Sequence, residues 1–133
     1  MIDIENQIFD KVSTALNTAF TGIFLTGEEL MNVPSQFPCA GIYESDNYPV
    51  VSTQDSSSNE NHSHLVYDIN VYTNDKKGKK AKAKAILSTI DDTLSQLGLV
   101  RVTKEPVPMS DSTIYRLFAR YECITDGNYI YRR

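Results

Sequence analysis

The sequence predicts an α+β fold, a two-layer sandwich in which a mainly antiparallel sheet of four to five strands carries two helices packed on one face. Three observations lead there. Two stretches repeat apolar residues at spacings of three and four, the runs between and after them alternate at the two-residue period of strands, and each helix has a single apolar stripe to bury. Stacking both stripes on one sheet is the economical solution, since an element with one apolar face must cover it with another element. The length, 133 residues, favours one domain over residues 1–133. Such a chain buries roughly two thirds of the surface that its unfolded form exposes.

The elements follow in order. Between Ile2 and Phe20, the positions Ile8, Phe9, Val12, Ala15, Leu16, Ala19 and Phe20 fall on one side of a helix, and Gly22 is a natural stop. Ile23 to Leu25 suits a short first strand, and Pro34 and Pro38 restrict the backbone ahead of a second, Phe37 to Glu44. Ser45 to Ser63 is crowded with Ser, Asn, Asp and Glu and reads as a long polar loop that cannot order itself unaided. LVYDINVYT is the clearest strand, with Leu65, Tyr67, Ile69 and Val71 on one face and Val66, Asp68, Asn70 and Tyr72 on the other. After Gly78, the residues Ala83, Ile86, Leu87, Ile90, Leu94 and Leu97 share one helical arc, which Gly98 closes. Leu99 to Val107 suits a strand stopped by Pro106 or Pro108, and STIYRLFARYECI forms its antiparallel partner across a turn at Met109 to Asp111. The sheet face turned away from the helices then carries Asp68, Asn70, Arg116, Arg120 and Glu122 beside Val66, Tyr72 and Phe118. That mixture of charges and aromatics suits a protein interface, with a solvated face as the alternative.

Composition narrows the function classes. A net charge of −4 argues against a surface that wraps nucleic acid as a whole, so any polyanion contact is local. Cys39 and Cys123 form no CxxC pair and read as two buried free thiols, as in a reducing cytosol. The N-terminal MIDIENQIFD lacks the pattern of a signal peptide, and no apolar run is long enough to span a bilayer. A soluble chain without a membrane partner is the expectation. A nucleophilic triad would need a rigid base, and the histidines, His62 and His64, sit in or beside the polar stretch, where they read as solvated. No convincing third ligand joins them, so no metal is assigned. Asp91 and Asp92 are neighbours on a helix and point about 100° apart, which suits a solvated rim and not a carboxylate pair. With no nucleotide or zinc motif, neither catalysis nor a cofactor is expected.

One stretch remains unusual. Six of the thirteen basic residues, Lys76, Lys77, Lys79, Lys80, Lys82 and Lys84, crowd into NDKKGKKAKAKA at Asn74 to Ala85. Cations in the first turn oppose the helix dipole at a cost of a few tenths of a kcal/mol each. Two readings stand. Lys79, Lys80, Lys82 and Lys84 flank the apolar stripe and lay their stems along its edges, or an anionic partner, either a polyphosphate or an acidic protein surface, approaches this corner. Their companions are alanines, which supply no stacking surface for base readout. A ring of subunits would nevertheless repeat the patch and make a sequence-blind DNA contact appreciable.

Three phrases together resemble the small tail terminator proteins of tailed bacteriophages, a family also described as minor capsid or head-tail joining proteins. They are FPCAGIYESDN at Phe37 to Asn47, VYDINVYTNDKKGKKAKAKAILSTIDDTLSQLGL at Val66 to Leu99, and STIYRLFARYECI at Ser112 to Ile124. In that family a strand ending in a V-Y-S/T-N-like phrase runs into a Gly-Lys-rich helix start, and a strand carrying I-Y-R follows the helix. Here Tyr72, Thr73, Asn74 and Gly78 occupy the first phrase, and Ile114, Tyr115 and Arg116 the second. The resemblance implies a two-helix α+β subunit that closes a homo-hexameric ring. Such a ring caps the tail tube and offers a docking surface to the head-tail connector and neck proteins. It places the chain in the virion, at the tail-neck junction, after synthesis in the bacterial host cytoplasm, with DNA in the channel as a further nonspecific contact. Tyr72, Asn74, the six lysines, Arg116 and Arg120 are the candidate interface residues. For Tyr72 the alternative is packing on the sheet face, and for the two arginines it is pairing with Asp68 or Glu122 within the subunit. Another neck protein of the same virion, or a nonspecific nucleic-acid-binding domain, are the competing functions.

Overall fold

The computed structural model describes residues 1–30, 32–50, 62–128, 130 and 131. The chain runs α1 (Glu5–Ala19), β1 (Phe24–Thr26), β2 (Cys39–Pro49), β3 (Ser63–Thr73), α2 (Lys79–Leu97), β4 (Val100–Val107), β5 (Tyr115–Thr125) and β6 (Ile130–Tyr131). The strand with the cleanest alternation in the sequence, β3, is the centre of the sheet, whose order is β1-β2-β3-β5-β4. Antiparallel pairing joins β3 to β2 and to β5, and β5 to β4, while the short β1 lies parallel to β2. The two-residue β6 extends the β4 side of the sheet by pairing with Ile124 and Thr125. Both helices pack on the same sheet face and against each other, as the two stripes require.

The register explains the core. Leu65, Tyr67, Ile69 and Val71 of β3 stand opposite Cys123, Tyr121, Ala119 and Leu117 of β5. Ala40 and Ile42 of β2 continue the same rows. Over them lie Ile8, Val12 and Leu16 of α1 and Ala83, Ile86, Leu87, Ile90 and Leu94 of α2, all buried. Each fully buried aliphatic side chain among them contributes about 1.5–3 kcal/mol relative to exposure. Ala19, placed on the stripe by spacing, is exposed, because α1 ends there and Phe20 turns extended. The second helix closes as its sequence implies. Gly98 takes φ 101°, and its N–H and that of Leu99 reach back to the carbonyls of Ser95 and Leu94.

Two readings of the sequence require correction. The first is the polar stretch at 45–63. Ser45 to Pro49 belongs to β2 and Ser63 opens β3, so strand structure extends well into it. A bulge between Glu44 and Asp46 absorbs one residue, the Ser45 hydroxyl donates to the Val66 carbonyl, and the Asn47 amide donates to the Ile2 carbonyl at 2.8 Å. Polar residues thus hold a strand where a central strand supplies its backbone partners. The rest of that stretch, 51–61, lies outside the described residues. The second correction concerns His64, expected to be solvated. It is a buried β3 residue, 7% exposed, stacked on the Tyr48 ring at a centroid distance of 4.8 Å and hydrogen-bonded to Glu122 at 3.1 Å.

Candidate functional site

The candidate residues form two groups on different sides of the sheet. The first is on the face turned away from the helices, where alternation sends the even-numbered residues of β3 and β5. Three rows cross the strands there: Tyr43, Asp68 and Arg120; Gly41, Asn70 and Phe118; Cys39, Tyr72 and Arg116. The Arg120 guanidinium grips Asp68 with two hydrogen bonds, at 2.8 and 3.2 Å, and Arg116 donates to the Asn70 side chain at 2.9 Å. Each arginine also sits over a ring, Arg116 above Tyr72 at 5.2 Å and Arg120 above Phe118 at 5.5 Å. Both cations therefore find partners within the subunit.

Burial differs sharply along this face. Asp68, Asn70 and Tyr72 are buried, Arg116 and Phe118 are half-buried, and Arg120 is exposed. The segment after β1 comes over one end, where Glu28, Glu29 and Leu30 border a small cleft with Gly41, Tyr43, Asn70, Tyr72 and Arg116. Tyr72 retains only 3% of its surface, which makes it a packing residue of the single chain, with Arg116 over its ring and Leu30 and Met109 in the clefts beside it. Desolvation raises the Tyr72 phenol, against the pull of the Arg116 charge. The Tyr43 phenol is pushed up to about 12, first by burial and then by the Asp68 carboxylate beside it.

The second group surrounds the start of α2. Gly78 precedes the helix in the left-handed conformation, φ 78°, with no side-chain cap. The Thr73 hydroxyl donates to the Lys79 carbonyl at 2.7 Å, and the Lys79 ammonium reaches the Ser112 carbonyl in the β4–β5 turn. Lys82 lies over the Phe20 ring at 5.6 Å, with its stem along the edge of the stripe. Asn74, Lys76, Lys77, Lys80 and Lys84 are exposed. The run therefore divides into lysines that fasten the helix start and four that face solvent.

Some functional groups were not visible in the sequence. Asp91 is no solvated rim: it accepts the Tyr121 hydroxyl at 2.6 Å and the Arg101 guanidinium at 3.1 Å, locking α2 to β5 and β4. Tyr67 donates to Glu44 at 3.3 Å in the same manner beneath α1. Burial and these carboxylates raise both phenols well above the ordinary tyrosine range. The His64 cluster had a signal, since extending the β3 alternation by one pair puts His64 on the face with Asp68 and Asn70. Among the described residues, no three His, Cys, Asp or Glu side chains gather as a metal-binding group, and no helix is long and apolar enough to cross a membrane. No family model matches the chain, and no curated protein matches it in sequence.

Proposed function

We propose that this chain is a structural virion protein of a tailed bacteriophage, a tail terminator subunit. Copies close a homo-hexameric ring on the end of the tail tube, which stops tube growth and presents the surface that head-tail connector proteins join. The observation that carries this reading is where the three resembling phrases fall. They lie on β2, on β3 running through into α2, and on β5, in the element order that the resemblance implies. The outer sheet face supports it, since Arg120 is paired with Asp68, Arg116 is held by Asn70 and the Phe118 ring is half-covered, a surface of fixed groups suited to recognition by shape. A cyclic assembly has no free end, so ring closure is itself the limit on growth. This role uses neither a reactive centre nor a cofactor. Mass measurement in solution followed by electron microscopy with tail tubes tests it. A ring seated on tube ends is expected, and a monomer that never joins tubes would overturn it.

The four exposed lysines favour a second reading, sequence-blind DNA binding. Retention on duplex DNA that falls steeply with salt, without any tube association, would select it.

A further inference from the structure

The two ends of the helix layer carry opposite charge. At the start of α2 stand Lys76, Lys77, Lys79, Lys80, Lys82 and Lys84, with no acidic residue in the first turn of the helix. At the far end, Ile4, Ile8 and Lys11 of α1 line one cleft with Leu97, the last residue of α2, and beside it Asp3 and Glu5 meet Glu44 and Asp46 of β2, four carboxylates that outweigh the one lysine. Their grouping is held by contacts. The Glu5 carboxylate accepts the Glu44 N–H at 2.6 Å, Asp3 accepts the Glu5 N–H at 3.0 Å, and Asn47 bridges Glu44 to the Ile2 carbonyl. Burial, and then the nearby Glu5 and Asp3 charges, raise the Glu44 carboxyl even though Asn47 and Tyr67 donate to it.

The two corners cannot neutralise each other within one subunit. The 19 residues of α2 span about 27 Å at 1.5 Å per residue, nearly three times the Debye length of about 10 Å at moderate ionic strength. The ion pairs among the described residues, His64 with Glu122, Arg101 with Asp91 and Arg120 with Asp68, involve neither corner. One chain thus offers a cationic and an anionic surface at opposite ends, an arrangement that a head-to-tail contact repeated around a closed ring satisfies at every junction.

We infer that the occupant of the lysine corner is a second copy of this chain, which presents its Asp3/Glu5/Glu44/Asp46 corner to it. The inference rests on the ring reading and adds the pair of surfaces that meet. Repeated around a closed ring, every lysine corner is consumed. The test uses exposed positions at each end: Lys80→Glu with Lys84→Glu, and Asp3→Lys with Asp46→Lys, each checked for an unaltered circular dichroism spectrum and melting curve. Sedimentation at low salt is expected to give a wild-type assembly that weakens with added salt. Each double variant alone should associate at least about tenfold more weakly. An equal mixture should recover assembly in part, because every second junction then joins an unaltered lysine corner to an unaltered acidic corner. Variants that assemble like the wild type would overturn the head-to-tail pairing and leave the ring reading standing. A wild type that stays monomeric at every concentration would remove both. A lysine variant that loses duplex DNA retention while self-association is unchanged would give that corner to nucleic acid and overturn the pairing.

Discussion

Raising the pH above 9 should unfold this protein through thiols and phenols that the fold buries. Cys39 and Cys123 are fully buried, and desolvation pushes their thiols up to about 11 and about 12 from an ordinary 9.0. Tyr67 and Tyr121, also buried, have phenols raised above the ordinary 10.0. In the window between the ordinary and the folded values, the unfolded chain releases protons that the folded chain keeps, so stability falls as pH rises. At pH 10 each thiol accounts for a loss of about 1 kcal/mol and each raised phenol for less, together a few kcal/mol relative to neutral pH. By pH 11 the loss grows to several kcal/mol, comparable with the total stability of an ordinary domain, so the alkaline transition is expected above about pH 10. Urea denaturation at pH 8, 9 and 10, followed by circular dichroism, reads the slope directly. The variant Cys39→Ala/Cys123→Ala should start less stable because of the cavities it leaves, yet decline much less steeply over the same interval, since only the raised phenols remain. A wild-type stability that is flat from pH 8 to 10, or an equally steep decline in the double variant, would refute the reasoning.

Two further perturbations probe other parts of the structure. Gly98→Ala should cost about 2 kcal/mol and Gly78→Ala about 1, since both glycines have positive φ but only a Cβ at position 98 meets a neighbour, Ile130 Cγ2 at 3.1 Å. Equal shifts in the melting midpoint would show that β6 yields freely. Arg120→Met should cost about 1.5–3 kcal/mol, because it leaves the Asp68 carboxylate buried without its cation. That is less than for a fully enclosed pair, as 45% of the Arg120 side chain is exposed. A double-mutant cycle with Asp68→Asn, measured by urea denaturation, should give a coupling of about 1 kcal/mol, and strictly additive costs would argue that the pair contributes no interaction of its own.

Periodicity made the two helices and β3 legible because each buries one continuous stripe, and a stripe leaves a mark at 3.6 or 2 residues whatever it packs against. The outer face was legible for the same reason: once β3 and β5 alternate, Asp68, Asn70, Arg116 and Arg120 must share a side. What a residue does on that face was harder to read. Tyr72 lies on it but is sealed by Arg116, and a sequence cannot say which neighbour folds down over a ring. The extent of β2 was hidden because its end is held by partners that the sequence places far away, Ile2 for Asn47 and Val66 for Ser45. Asp91 misled for a related reason. Adjacent aspartates on a helix look alike, and only the tertiary fold puts Tyr121 under one of them.

The pairing of charges separates two tasks that the sequence seemed to merge. On the outer face, Asp68 neutralises Arg120 while Arg116 is held by the neutral Asn70 and the Tyr72 ring, so a partner docking there would meet fixed guanidinium planes and rings and would be selected chiefly by their contour. The lysine corner is the reverse: four exposed cations, held apart from the acidic corner by the length of α2, make a field that reaches into solvent and orders nothing by shape. Fields of this kind act chiefly on the rate of encounter, and close contacts act on the rate of separation. In the proposed assembly, added salt should therefore slow the joining of subunits far more than it hastens their loss, as stopped-flow mixing at several salt concentrations reads, whereas truncating Phe118 or Arg116 on the outer face should leave both rates almost unchanged and hasten only the loss of a partner docked on that face.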